Sequence, residues 1–357
     1  MMPRTLLTSL LAAFLTVTAF GQSSGGSLDS AIVGAKSSLN DAQKSAVAAF
    51  SAPYIETLKT SKDQKQLDDA RAALVKPARD PGATPAFRKD YAAVLAGGLS
   101  PVIEGADLRQ AILAMQVMRF TRCEKALEIL CARADPAAET DAGKRLAAGT
   151  LIIDLFDDYE GANSSYDSYA RKLGSAAAAE TDWMALQQKL NALGAAARRK
   201  DLPADNVRNV RRAQAEAIAR IAAASKASSN ADPRMMSLQR VLVGIRNDLL
   251  TMSQADRTSL AKVLAPALAD VLAASQAQWD AGHASKTVGP AYASTVNNCE
   301  VMLRLIDRAE RPSAYSGSKP EADARVLATS WDAKDRAKFD AEVKRWAGIV
   351  AAAPYRN

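Results

Sequence analysis

The chain has 357 residues and a formal net charge of +7; it is 48% hydrophobic but only 5% aromatic, with one histidine and three cysteines. One histidine cannot build a multi-histidine metal site, and three cysteines make no disulfide framework. Its 75 alanines, set beside so few aromatics, argue against a β-sandwich or barrel and for helices.

The N-terminus reads as an export signal. Arg4 supplies a positive start, Leu6 to Phe20 is an uncharged, mostly apolar run, and Ala19-Phe20-Gly21 places small residues where a signal peptidase reads, so cleavage is expected before Gln22. No cysteine near that point offers a lipid anchor, and no later uncharged apolar run has spanning length. The expected product is periplasmic or extracellular, with no transmembrane segment after cleavage. A basic exported protein meets anionic envelope polymers or a protein partner rather than nucleic acid. Residues 22–27 read as a flexible leader.

Nearly everything beyond reads as helix. Thr84-Pro85 is an N-cap with proline at the first helical position. Leu108, Ile112, Met115 and Met118 form an apolar face at helical spacing. Thr121-Arg122-Cys123-Glu124 has the form of a capping box, opening a helix with Leu127, Leu130 and Cys131 inside; Asp135-Pro136 breaks it. A helix over 141–158, which includes the strand-like run Leu151–Phe156, precedes a polar loop at Gly161–Ser165. Further helices are expected over 179–200, from 205 to 227 after Leu202-Pro203, and from Asp232-Pro233 to 251. Ser253 caps another, running toward Gly282 with a kink at Pro266. Gly289-Pro290 opens one ending near Glu310, Pro312–Lys319 is loop, and Pro320 opens a short helix. The last, over 333–352, carries Phe339, Val343, Trp346 and Val350 on one face.

The triplets Arg71-Ala72-Ala73, Arg109-Gln110-Ala111 and Arg145-Leu146-Ala147 recur at spacings of 38 and 36, each on a helix that is followed by a second helix or by a break. Over roughly residues 60–160 this pattern resembles HEAT or armadillo-type helical repeats, which implies paired helices that each bury a face on the next pair. The fold expectation is therefore all-α. A solenoid-like repeat region over 28–174 is followed by an irregular helical array or bundle over 175–357, where the helices lengthen and the period is lost.

Chemistry-bearing constellations are sparse. His283 has no partners suggesting a triad. The only G-x-S-x-G match, beginning at Gly21, straddles the cleavage point with no strand before it. Ser259–Lys262 and Ser316–Lys319 match S-x-x-K, but Val288 interrupts the K-T-G-like Lys286-Thr287-Val288-Gly289. Asp154, Asp157, Asp158, Glu160 and Asp167 lack the spacing of an EF-hand. Cys123 and Cys131 lie about 12 Å apart along one helix, too far to bridge. The densest basic patch is Arg208, Arg211 and Arg212, at i, i+3 and i+4 on one helix face, preceded by Arg198, Arg199 and Lys200. Guanidiniums in this pattern grip carboxylate or phosphate groups, and no aromatic residues interleave for nucleic acid. The expected function is an exported, non-catalytic scaffold binding a protein or anionic envelope polymer through these arginines, with no cofactor, metal or catalytic residue. The alternative is a carbohydrate-active enzyme on a helical toroid, using a carboxylate pair such as Asp154 and Asp158 beside Tyr159, Tyr166 and Tyr169.

Overall fold

The computed structural model describes residues 26–315 and 325–355, so the expected signal peptide, Pro320 and the Ser316–Lys319 pair lie outside the described residues. Among the described residues the fold is all-α, with no strand. The helices are α1 (Ser30–Val33), α2 (Asp41–Thr60), α3 (Gln64–Arg79), α4 (Pro85–Glu104), α5 (Leu108–Arg119), α6 (Glu124–Ala134), α7 (Ala142–Asp158) and α8 (Asn163–Ala179). They continue with α9 (Trp183–Arg198), α10 (Ala204–Lys226), α11 (Met235–Thr251), α12 (Gln254–Ala277), α13 (Trp279–Ala284), α14 (Gly289–Glu310), α15 (Val326–Asp332) and α16 (Arg336–Val350).

These helices form two layers. In the first, α2, α4, α6, α8, α10, α12 and α16 each pack on the next; in the second, α3, α5, α7, α9, α11, α14 and α15 do the same. Most sequential pairs also pack across the layers, and the short α13 wedges between α12 and α14. One apolar core runs from Val33 to Tyr355, and position 174 falls inside α8. The irregularity lies beyond α9, where the longest helices sit, α13 is inserted and α16 takes its place beside α12.

Small residues let neighbours in one layer approach closely. A Cβ at Gly149 of α7 would lie 2.9 Å from Cβ of Gln188 on α9, and one at Gly174 of α8 would lie 3.0 Å from the Ala213 carbonyl oxygen of α10. α10 and α12 pack on each other, and Ala213 and Ala217 of the first and Ala261, Ala265 and Ala269 of the second are all buried, so the alanine excess goes into close helix contact. By length and apolarity α12 meets the criterion for a membrane-crossing helix, but most of that stretch is buried against its neighbours.

The second-layer helices start in a repeated way. Asp63, Asp107, Asp141 and Asp182 cap α3, α5, α7 and α9, each side chain accepting the backbone N–H three residues on, at 2.8–3.1 Å. A side chain of each next second-layer helix then reaches back to the start of the one before. Gln110 donates to the Ser61 carbonyl (3.0 Å), Lys144 to Gly105 (2.6 Å), Ser237 to Trp183 (2.5 Å) and Thr295 to Met235 (3.4 Å). Between α7 and α9 an ion pair replaces that contact. The triplets at Arg71, Arg109 and Arg145 fall on α3, α5 and α7, three successive second-layer helices, although the arginines themselves do different things. Arg71 bonds Gln116, Arg109 is exposed, and Arg145 is buried.

Several sequence expectations are corrected. The capping box at Thr121–Glu124 does not form. Arg122 adopts a left-handed φ of 55°, the Thr121 hydroxyl turns back to donate to the Met118 carbonyl at 2.7 Å, and Cys123 becomes an N-cap without a side-chain acceptor. The loop after α7 is confined to 159–162 and the polar stretch beyond it is helix: Tyr166, Tyr169, Ala170, Leu173 and Ala177 give α8 a buried face, and the next break is Glu180–Asp182. The helix from Ser253 stops at Gln278, whose side chain donates to the Ser225 carbonyl at 2.6 Å and accepts from the Tyr292 hydroxyl. Thr84, Ser253 and the Phe339–Val350 face are as the sequence indicates.

Candidate binding site

The expected arginine face sits on the second and third turns of α10, where α8 and α12 flank it. The structure does not leave its three guanidiniums equivalent. Arg211 points inward, is 9% exposed, and donates to Asp248 of α11 at 3.1 Å. Arg198 approaches the same carboxylate at 3.6 Å. Arg208 is bound to Asp205 one turn earlier and lies 3.7 Å from Asp256 of α12. Arg212 is exposed and, among the described residues, has no ion-pair partner. Of the preceding basic run, Arg199 is engaged with Asp201 and the Tyr166 hydroxyl.

Two clefts flank α10, and Arg212 borders both. One, of about 90 Å³, lies against α12 and is lined by Arg208, Arg211, Arg212, Met252 and Asp256 among others. The other, of about 340 Å³, lies against α8 and adds Asp167, Arg171, Asn209 and Glu216. Arg171 was not singled out from sequence, because only the pairing of α8 with α10 brings it to Arg212.

The acidic and tyrosine-rich stretch 154–169 is arranged quite differently. Asp158 faces Arg119 at 3.3 Å and Arg122 at 3.1 Å. Burial pushes its carboxyl above the usual range, and the two guanidiniums oppose that without cancelling it. Glu160 is gripped by Arg88 at 2.7 Å, and Asp154 is exposed. The three tyrosines are core residues. Tyr166 packs on Phe156 and edge-on against Tyr159, and burial pushes the Tyr159 phenol up to about 12. Gly161 is required there, since a Cβ would lie 2.1 Å from the Tyr159 hydroxyl oxygen. The nearest cleft, about 550 Å³ between α4 and α6, is lined by Arg88, Lys89, Glu124, Lys125, Glu128 and Glu160 among others, and by neither Asp154, Asp158 nor the tyrosines. Among the described residues no group of three or more His, Cys, Asp or Glu is placed to hold a metal ion.

His283 and the three cysteines are packing groups. His283 lies in α13, stacked on Trp331 and tilted against Trp279. Its Nδ1 is 2.8 Å from the Trp279 carbonyl oxygen and its Nε2 is 3.0 Å from that of Trp331. All three cysteines are buried and unbridged, and burial raises the Cys131 thiol to about 12.

Sequence reasoning missed the most elaborate charged cluster. Glu180, fully buried at the α8–α9 turn, accepts two hydrogen bonds from Arg145 at 2.8 and 2.9 Å and one from Lys189 at 2.5 Å. The backbone N–H groups of Thr181 and Asp182 add two more at 2.9 Å each. Burial works against the carboxylate, but the hydrogen bonds from Arg145, Lys189 and Asp182 outweigh it and hold the carboxyl at about 2. The cluster is structural: it ties α7, α8 and α9 together. No protein-family model matches the chain, and no curated protein does either.

Proposed function

We propose that this chain is an exported, non-catalytic helical scaffold of the HEAT or armadillo kind that binds an acidic protein or anionic envelope polymer along α8, α10 and α12. The observation that carries this reading is the unbroken same-layer stacking of helices from α2 to α16. An array built this way spends its apolar residues on neighbouring helices and offers long polar edges to a partner. Arg208, Arg211 and Arg212 lie on such an edge, with Arg212 the contact group, Arg208 beside it, and Arg211 anchoring α10 to α11.

The test is co-sedimentation of the purified chain with peptidoglycan sacculi and with vesicles rich in anionic lipid, alongside release of reducing sugar from envelope glycans. Salt-sensitive sedimentation that weakens on charge reversal at Arg208 and Arg212, without sugar release, is the expected result. Turnover of a glycan substrate overturns it.

A further inference from the structure

The geometry points to a carboxylate-binding cleft between α8 and α10, in which Arg171 and Arg212 together grip the acidic side chains of an extended polypeptide. This inference rests on the scaffold reading for its partner, but not for its chemistry.

Around α10 the other arginines are already engaged. Asp248 takes Arg211 and Arg198, Asp205 and Asp256 take Arg208, and Asp201 takes Arg199. Among the described residues Arg212 has no ion-pair partner and Arg171 makes a single, long hydrogen bond, 3.3 Å from its Nε to the Asp167 carbonyl. Both line the same cleft of about 340 Å³. Two guanidiniums retaining most of their N–H donors border a space large enough for a side-chain carboxylate.

The cleft also contains two carboxylates, and both are turned to other donors. Asp167 accepts from the Asn206 amide at 3.0 Å and the Asn209 amide at 2.8 Å, and Glu216 leans toward Arg220 at 3.9 Å. They therefore leave the arginines free, and they also select the ligand. A doubly charged phosphate would set its second charge against Asp167 and Glu216, whereas a carboxylate brings only one. Because Arg212 borders the α12 cleft as well, a chain crossing from α8 to α12 passes Arg171 and Arg212 before reaching Arg208, which its own aspartates hold.

The test uses fluorescently labelled poly-glutamate and poly-phosphoserine of matched length, titrated with the purified chain at low and physiological salt. The unaltered chain is compared with R171Q/R212Q and with R109Q, which removes one exposed positive charge on α5. Both cleft side chains are exposed, so an unchanged melting curve by circular dichroism shows that the double variant folds. The expected result is poly-glutamate bound more tightly than poly-phosphoserine, about tenfold weaker binding in R171Q/R212Q, and less than about twofold change in R109Q. Poly-glutamate affinity unchanged in R171Q/R212Q overturns the cleft, as does tighter binding of poly-phosphoserine. Glycan turnover with this pattern intact removes the scaffold reading and leaves the cleft standing, whereas envelope sedimentation without poly-glutamate binding does the reverse.

Discussion

Glu180 and Arg212 both belong to arginine–carboxylate neighbourhoods, and they show opposite uses of the same chemistry. At Glu180 two cations and two backbone N–H groups converge on one fully buried carboxylate, and the whole cluster is shut away from solvent and from any ligand. Around α10 the carboxylates range from half-buried to exposed, each pairs with an arginine of its own or a neighbouring helix, and among the described residues the exposed Arg212 of α10 has no ion-pair partner. Burial decides the difference. A buried charge must be fully partnered for the chain to fold, whereas an exposed one is tolerated alone and so stays available.

The largest effect should come from Glu180→Ala, which leaves Arg145 and Lys189 buried and unpaired. A loss of about 3–5 kcal/mol is expected in urea unfolding, and a loss below 1 would show that water reaches the site and that the contrast with α10 fails. Acid titration sharpens the same point. Because the folded-state carboxyl is held down at about 2, its contribution is present above the usual carboxylate range and is lost as the pH falls from about 4.5 toward 2. The unaltered chain should therefore lose stability over that window more steeply than Glu180→Gln does. Next in size is Gly149→Ala, which forces α7 off Gln188 of α9 beside the cluster. Overpacking there should cost about 1–3 kcal/mol, read as a lowered Tm. Smallest is Arg208→Ala, exposed and paired at the surface, for which less than about 1 kcal/mol is expected. A larger loss would mean that Arg208 shares the structural duty of Arg211.

Local signals in the sequence were read well where neighbours in the chain decide the outcome. The Thr84 and Ser253 caps, the breaks at Asp135-Pro136 and Leu202-Pro203, and the Phe339–Val350 face all depend on residues within a turn or two. Pairings across many residues were not legible. Nothing near Arg211 announces Asp248, and nothing near Glu180 announces Arg145. The run 154–169 looked like a site because carboxylates and tyrosines cluster in sequence; in space the phenols turn into the core while Asp158 and Glu160 face arginines from other helices. Thr121 misled for a similar reason: the turn from α5 to α6 bends through Arg122 and takes the hydroxyl away from the helix it was expected to cap.

All four tryptophans, Trp183, Trp279, Trp331 and Trp346, fall in the second half of the chain, two of them around His283, while helices α1 to α8 carry none. Indole emission therefore watches only one end of the array, whereas far-ultraviolet ellipticity sums over all of it. The molecule carries its own half-length label: coincident signals would show that the core continuous from Val33 to Tyr355 unfolds as one cooperative unit, and separated signals that the array comes apart in segments.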